Sequence, residues 1–192
     1  VTDGGGQPLA FSFGKEDKLL GTPFQIELGE DTRRIVVRYR SRPNAEALQW
    51  LTPAQTAGKR QPFLFSQGQA ILNRSWIPTQ DSPGIRQSWE ATIGVPEALA
   101  AVMSAPVAGG MPLLEPGRRF FRFRMPHPVA PYLIAIAVGD LKFQSLGQRT
   151  GVWAEPATLP AAARELDDTE AMVAAAERLF GRYRWGRYDM IV

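Results

Sequence analysis

The chain has 192 residues, 44% hydrophobic and 21% charged, with a formal net charge of +3. That is long enough to bury a real core, ordinary for a globular protein, and too weakly basic for a nucleic-acid binder. There is no cysteine and no apolar run of about 18 residues, which excludes disulfides, thiolate metal sites and a helical membrane span, and leaves the compartment open with the cytoplasm favoured. Eighteen glycines and 16 prolines among short apolar runs predict a turn-rich, mainly β body.

Leu9-Ala10-Phe11-Ser12-Phe13 and Phe24-Gln25-Ile26-Glu27-Leu28 alternate and predict two strands joined by a charged connection. After the turn at Gly29-Glu30-Asp31, residues 33–40 are rich in β-branched side chains and predict a third strand of an antiparallel meander with one wet face. Further strands are expected at 87–93, 102–105, 119–125, 141–146 and 151–154, with a break at Gly109-Gly110. Arg118, Arg119, Arg122 and Arg124 interleave with Phe120, Phe121 and Phe123. A half-exposed strand is the plain account of that pattern, so no nucleic-acid partner is expected. Pro126-His127-Pro128 reads as a stiff connector into Tyr132-Leu133-Ile134-Ala135-Ile136-Ala137-Val138-Gly139, a continuous apolar run expected to form a strand buried on both faces.

Composition shifts at Glu155-Pro156. Asp167 with Glu170 three residues later forms a capping-box pattern before an Ala-rich amphipathic helix that Gly181 would stop. Residues 188–192 then read as a strand that ends abruptly. The expected organisation is an antiparallel β-sandwich or saddle over residues 1–155, followed over 156–192 by the first helix and strand of a truncated α/β domain.

The stretch 63–83, FLFSQGQAILNRSWIPTQDSP, carries the candidate chemistry. It reads as an extended segment running into a proline-bounded turn. Gln67 and Gln69 would point the same way from an extended backbone, and Gly68 removes a Cβ where something approaches closely. On residue types alone, the two glutamines read as polar side chains on a solvated strand face rather than as a binding site. Arg74 and Asp81 read as structural, with the Asp81 carboxylate capping backbone N–H groups inside the turn and Arg74 pairing with Asp81 or with a neighbouring strand.

Arg74, Pro78, Asp81 and Pro83 match an R-x-x-x-P-x-x-D-x-P signature, and Ala47-Leu48-Gln49-Trp50-Leu51-Thr52-Pro53 stands upstream. With Gln67, Gly68, Gln69 and Ala70 this resembles the aminopeptidase N family of zinc metallopeptidases, in its leukotriene A(4) hydrolase-like branch. The resemblance implies an N-terminal domain, with the catalytic domain largely outside the chain and both ends truncated. It implies substrate-binding roles for Gln67, Gly68, Gln69 and Ala70, with Gln69 near the free amino group of a peptide and Ala70 along its backbone. A glutamate commonly stands in the family where Gln69 stands here, and a cysteine where Thr79 stands.

The family's reaction, hydrolysis of an N-terminal residue with zinc polarising the carbonyl and a glutamate as general base, needs an H-E-x-x-H helix and a G-x-M-E-N loop. Neither is present, and His127 is the single histidine. One imidazole does not make a two-histidine site. No catalytic residue and no metal ligand is therefore assigned. Zinc, the peptide N-terminus and the missing catalytic domain are partners that the resemblance implies for the intact protein. The competing expectation is a stand-alone β-sandwich interaction module without enzymatic activity.

Overall fold

A computed structural model describes residues 1–110 and 115–192. The chain divides into two compact units, Val1–Arg42 and Pro43–Val192.

In the first unit, β1 (Thr2–Asp3), β2 (Phe11–Phe13), β3 (Phe24–Ile26) and β4 (Ile35–Val36) form two small antiparallel pairs, β1 with β4 and β2 with β3. The hairpin of β2 and β3 is the expected one. Phe11, Phe13 and Phe24 cluster on it with ring centroids 5.2 to 6.0 Å apart. In its connection, Asp17 Oδ1 accepts the N–H groups of Leu20 and Leu19 at 2.8 Å, and these bonds hold the carboxyl below its ordinary range. The long strand expected over 33–40 is a correction. Only Ile35 and Val36 pair, because the partner strand offers just Thr2 and Asp3, and β propensity without a partner edge does not make a ladder.

The second unit runs β5 (Leu48–Leu51), β6 (Phe63–Ser66), β7 (Gln87–Pro96), β8 (Ala100–Met103), β9 (Val107–Gly110), β10 (Arg118–Val129), β11 (Ile136–Gly139), β12 (Lys142–Ser145), β13 (Thr150–Ala154), α1 (Leu159–Glu165), α2 (Thr169–Phe180) and β14 (Tyr188–Ile191). Its sheets are ordered β7-β10-β9, β5-β6-β11-β8 and β12-β13-β14. The first two are antiparallel throughout, whereas β14 joins β13 in parallel. The mainly β, antiparallel architecture is the one expected. Val95 of β7, Phe123 of β10, Ala101 and Met103 of β8 and Ile136 of β11 meet in one core with Leu99 and Ile134. Both sheets contribute inward faces to it, as a sandwich requires. Between β13 and α1, Val152, Ala154, Ala162 and Ala163 make a smaller core.

Several boundaries differ from expectation for local reasons. Gly109-Gly110 does not break the chain: Gly110 pairs with Phe121. The strand expected at 102–105 lies at Ala100–Met103. Pro126-His127-Pro128 stays within β10, whose pairing with β7 skips from Met125↔Trp89 to Val129↔Gln87, since proline has no N–H for the ladder. The apolar run 132–139 is not one strand. Pro131–Leu133 is a single 3-10 turn and β11 starts at Ile136. Pro131 presets the turn, and side chains rather than a strand satisfy the backbone between. Ala135 N donates to Ser104 Oγ and Ile136 N to Ser66 Oγ, each at 2.9 Å.

The first helix is α1, which sequence reasoning passed over. It opens with Pro160 in its first turn, where the missing N–H has no partner to lose. The capping box is also a correction. Asp168 is the N-cap of α2 without a side-chain cap bond, and Glu170 turns instead to Arg149 and Thr150. Gly181 ends α2 at φ 87°, as expected.

Candidate functional site

The loop that follows β6 is the site of interest. β6 pairs with β11 on one side and β5 on the other, so its end is rigidly placed. The extended conformation expected through 67–70 is not observed: the strand ends at Ser66 and the chain turns. Gln67 N donates to Ala47 O at 2.8 Å and Leu72 N to Gly68 O at 2.9 Å, which closes the turn. Gln67 Oε1 accepts the N–H of Gln69 at 3.0 Å. The two glutamine side chains are therefore not equivalent. That of Gln67 braces the loop, and that of Gln69 has no hydrogen-bond partner among the described residues. Gln67, Gln69 and Ala70 are exposed, Gly68 is buried, and the peptide bond between Gln69 and Ala70 is cis.

Under the loop lies Asn73, fully buried and missed by sequence reasoning. Its Nδ2 donates to Pro131 O at 2.6 Å and Ile134 O at 2.9 Å, and its Oδ1 accepts Trp76 Nε1–H at 2.9 Å. A lone asparagine in the run Ala70-Ile71-Leu72-Asn73 was the available signal, because a buried amide is retained where backbone carbonyls need a donor. Ser75 works beside it, accepting Ala47 N at 3.0 Å and donating to Leu72 O at 2.7 Å.

Arg74 and Asp81 are brought together as expected. Asp81 is 3% exposed. Its Oδ2 accepts Arg74 N at 2.9 Å, and Arg74 Nη2 donates to Asp81 O. Thr79 Oγ1 donates to Gln87 Oε1 at 3.1 Å, tying the same turn to β7. The proline-bounded turn thus closes on itself through one carboxylate and one guanidinium.

Three acids away from the loop are engaged by protein partners. Glu155 is buried and Oε2 accepts Gly58 N at 2.6 Å, fastening the β5–β6 connection to the end of β13. Arg149 bridges Glu170 at 2.9 Å and Glu177 at 2.8 Å. Burial pushes the Glu170 carboxyl up, but bonds from Arg149 N–H, Thr150 Oγ1 and the guanidinium outweigh it and hold the group below its ordinary range. Glu177 is held low by Tyr183 N–H and then by Arg149. His127 is exposed on β10, its ring edge-to-face with Trp185 at 5.6 Å. Among the described residues no group of three or more His, Asp or Glu side chains is placed to hold a metal ion. The donors present do not fit a zinc site: no carboxylates converge with the one imidazole, which rests against an indole.

No family model matches the chain. Mouse aminopeptidase B is 46% identical over 143 residues, 74% of this chain and 21% of that protein. Leukotriene A-4 hydrolase of Xenopus laevis is 38% identical over 193 residues, 97% of this chain and 32% of that protein. The native yeast LTA4 hydrolase structure superposes with a TM-score of 0.84 at 30% identity, covering 97% of this chain and 29% of that one. The chain belongs to the aminopeptidase N family of zinc metallopeptidases, in its leukotriene A-4 hydrolase-like branch. It matches the N-terminal domain of that branch and spans between a fifth and a third of the length of these relatives. The yeast relative has also been seen in complex with bestatin, in a structure that superposes at a TM-score of 0.85.

Proposed function

We propose that this chain is the N-terminal, non-catalytic region of a zinc-dependent aminopeptidase, and that residues 67–70 form an edge that holds the N-terminal end of a peptide substrate. The observation that carries the reading is the contrast within the loop. Gln69 and Ala70 are exposed and the side-chain amide of Gln69 is unengaged among the described residues, while the residues around them are anchored through Ala47, Asn73, Ser75 and Asp81. A neutral amide oxygen can accept from an ammonium group. It lacks the charge of a glutamate, so the main counter-charge for the substrate amine would come from elsewhere in the parent protein. Zinc ligands and the general base would lie there too.

Exposed apolar side chains on α2 and β14 support a larger parent. Met172, Leu179 and Phe180 are 65%, 77% and 86% exposed, and Ile191 follows on β14. Surfaces of this kind suit cover by a catalytic domain.

Steady-state kinetics of the intact protein on short peptides tests the reading. Gln69→Ala removes one hydrogen bond to a charged donor, worth about 1.5–3 kcal/mol, so KM should rise by at least about tenfold with zinc content unchanged. Unaltered kinetics would remove Gln69 from the site.

A further inference from the structure

Asn73 and Gly68 are packed so closely that neither can be considered alone. A Cβ on Gly68 would stand 2.6 Å from Asn73 Oδ1, 2.8 Å from Cγ and 2.9 Å from Nδ2. The asparagine has no room to yield. It is fully buried, and three hydrogen bonds fix its amide plane against Pro131 O, Ile134 O and the Trp76 indole. Two carbonyls facing Nδ2 and one indole N–H facing Oδ1 also fix which way the amide is turned. All three partners sit on well-placed backbone: Pro131 and Ile134 form the turn before β11, and Trp76 packs against the main core. The sequence expectation that Gly68 admits a close neighbour is met, but the neighbour is internal.

We infer that Asn73 is the positioning residue for the 67–70 edge, and that it acts through Gly68. Its amide is the fixed seat on which the loop rests, and the absent Cβ of Gly68 lets the loop reach it. Gln69 and Ala70 follow directly on Gly68, so their height above the sheet is set by this contact. A methyl on Gly68 would have to retreat by about an ångström to reach ordinary contact, carrying Gln69 and Ala70 with it. A displacement of that size is enough to spoil a bound geometry. The inference rests on the reading of residues 67–70 as a substrate edge.

The test is a set of four variants of the intact protein, Gln69→Ala, Gly68→Ala, Asn73→Ser and Gly68→Ala/Asn73→Ser, assayed for kcat and KM on a dipeptide. Gly68→Ala should raise KM about fivefold or more and leave kcat within about twofold. Serine at 73 keeps a donor and removes Oδ1 and Nδ2, two of the three atoms the methyl would meet, and its single γ oxygen can turn away to another rotamer. The double variant should therefore show a lower KM than Gly68→Ala alone, a rescue that additive structural damage does not produce. If Gln69→Ala raises KM and Gly68→Ala does not, the positioning role falls and the substrate edge stands. A double variant with KM at or above the product of the single effects also overturns the positioning role. If Gln69→Ala itself has no effect, the edge falls and the inference with it. Should Asn73→Ser fail to fold, the comparison of Gly68→Ala with Gln69→Ala decides alone, since that pair removes none of the Asn73 hydrogen bonds.

Discussion

Truncating Asn73 to alanine should be among the most damaging single changes in Pro43–Val192. It would strip partners from Pro131 O, Ile134 O and Trp76 Nε1–H, in a place with no exposure to water. Each buried polar group left unsatisfied costs about 1–3 kcal/mol, and relaxation lets neighbours recover part of it, so a loss of roughly 3–5 kcal/mol is expected. Trp76 reports directly on the site, so urea unfolding followed by tryptophan fluorescence is the assay. Asn73→Asp sharpens it. A carboxylate would face two carbonyl oxygens, so the folded state raises its pKa and favours the protonated acid, which can still donate to one carbonyl. A raised acid pKa means the folded state binds more protons than the unfolded one. The variant's deficit against the parent should then be smallest near pH 4. It should grow as pH rises, by about 1.4 kcal/mol for every pH unit separating the acid's unfolded and folded pKa values. A loss under about 1 kcal/mol for Asn73→Ala, or a pH-independent deficit for Asn73→Asp, would refute the reasoning.

Asp81→Ala removes the acceptor of Arg74 N and the carboxylate 3.8 Å from its Nε, while the Nη2 bond to the residue 81 carbonyl remains, and a loss of about 1–3 kcal/mol is expected in the same unfolding assay, tempered by the part exposure of Arg74. Glu155→Ala leaves Gly58 N without its carboxylate. Hydrogen exchange at Gly58 should accelerate while exchange in β10 stays unchanged. Glu170 and Glu177 both have carboxyls held below their ordinary value of 4.5 in the folded chain. Their stabilisation is complete above that value and is lost as pH falls through the lowered folded values. The circular-dichroism signal of α2 should therefore weaken in acid below about pH 4, and Arg149→Met should move that loss to higher pH. After dialysis the 192-residue chain should hold well under one equivalent of zinc by elemental analysis; a full equivalent would overturn the assignment of the ligands to another part of the parent.

Local chemistry made much of the molecule legible in advance. Alternation located the hairpin of β2 and β3 and most of β7 and β10, because a half-buried strand must repeat every second residue. Gly181 as the stop of α2 and Asp81 as the partner of Arg74 followed from residue type and short spacing. Motif residues pointed to the family before any coordinate did. Partners distant in the chain decided the rest. The run 132–139 broke into a turn and a strand because Asn73, some sixty positions earlier, captures carbonyls that a ladder would otherwise take. Residues 33–40 paired at only two positions because β1 is short. Glu170 left its expected cap for Arg149 and Thr150. Gly68 shows the division within a single residue. Its type announced that something comes close, but periodicity carries no information about which side chain arrives from elsewhere in the fold, and packing against Asn73 supplied it.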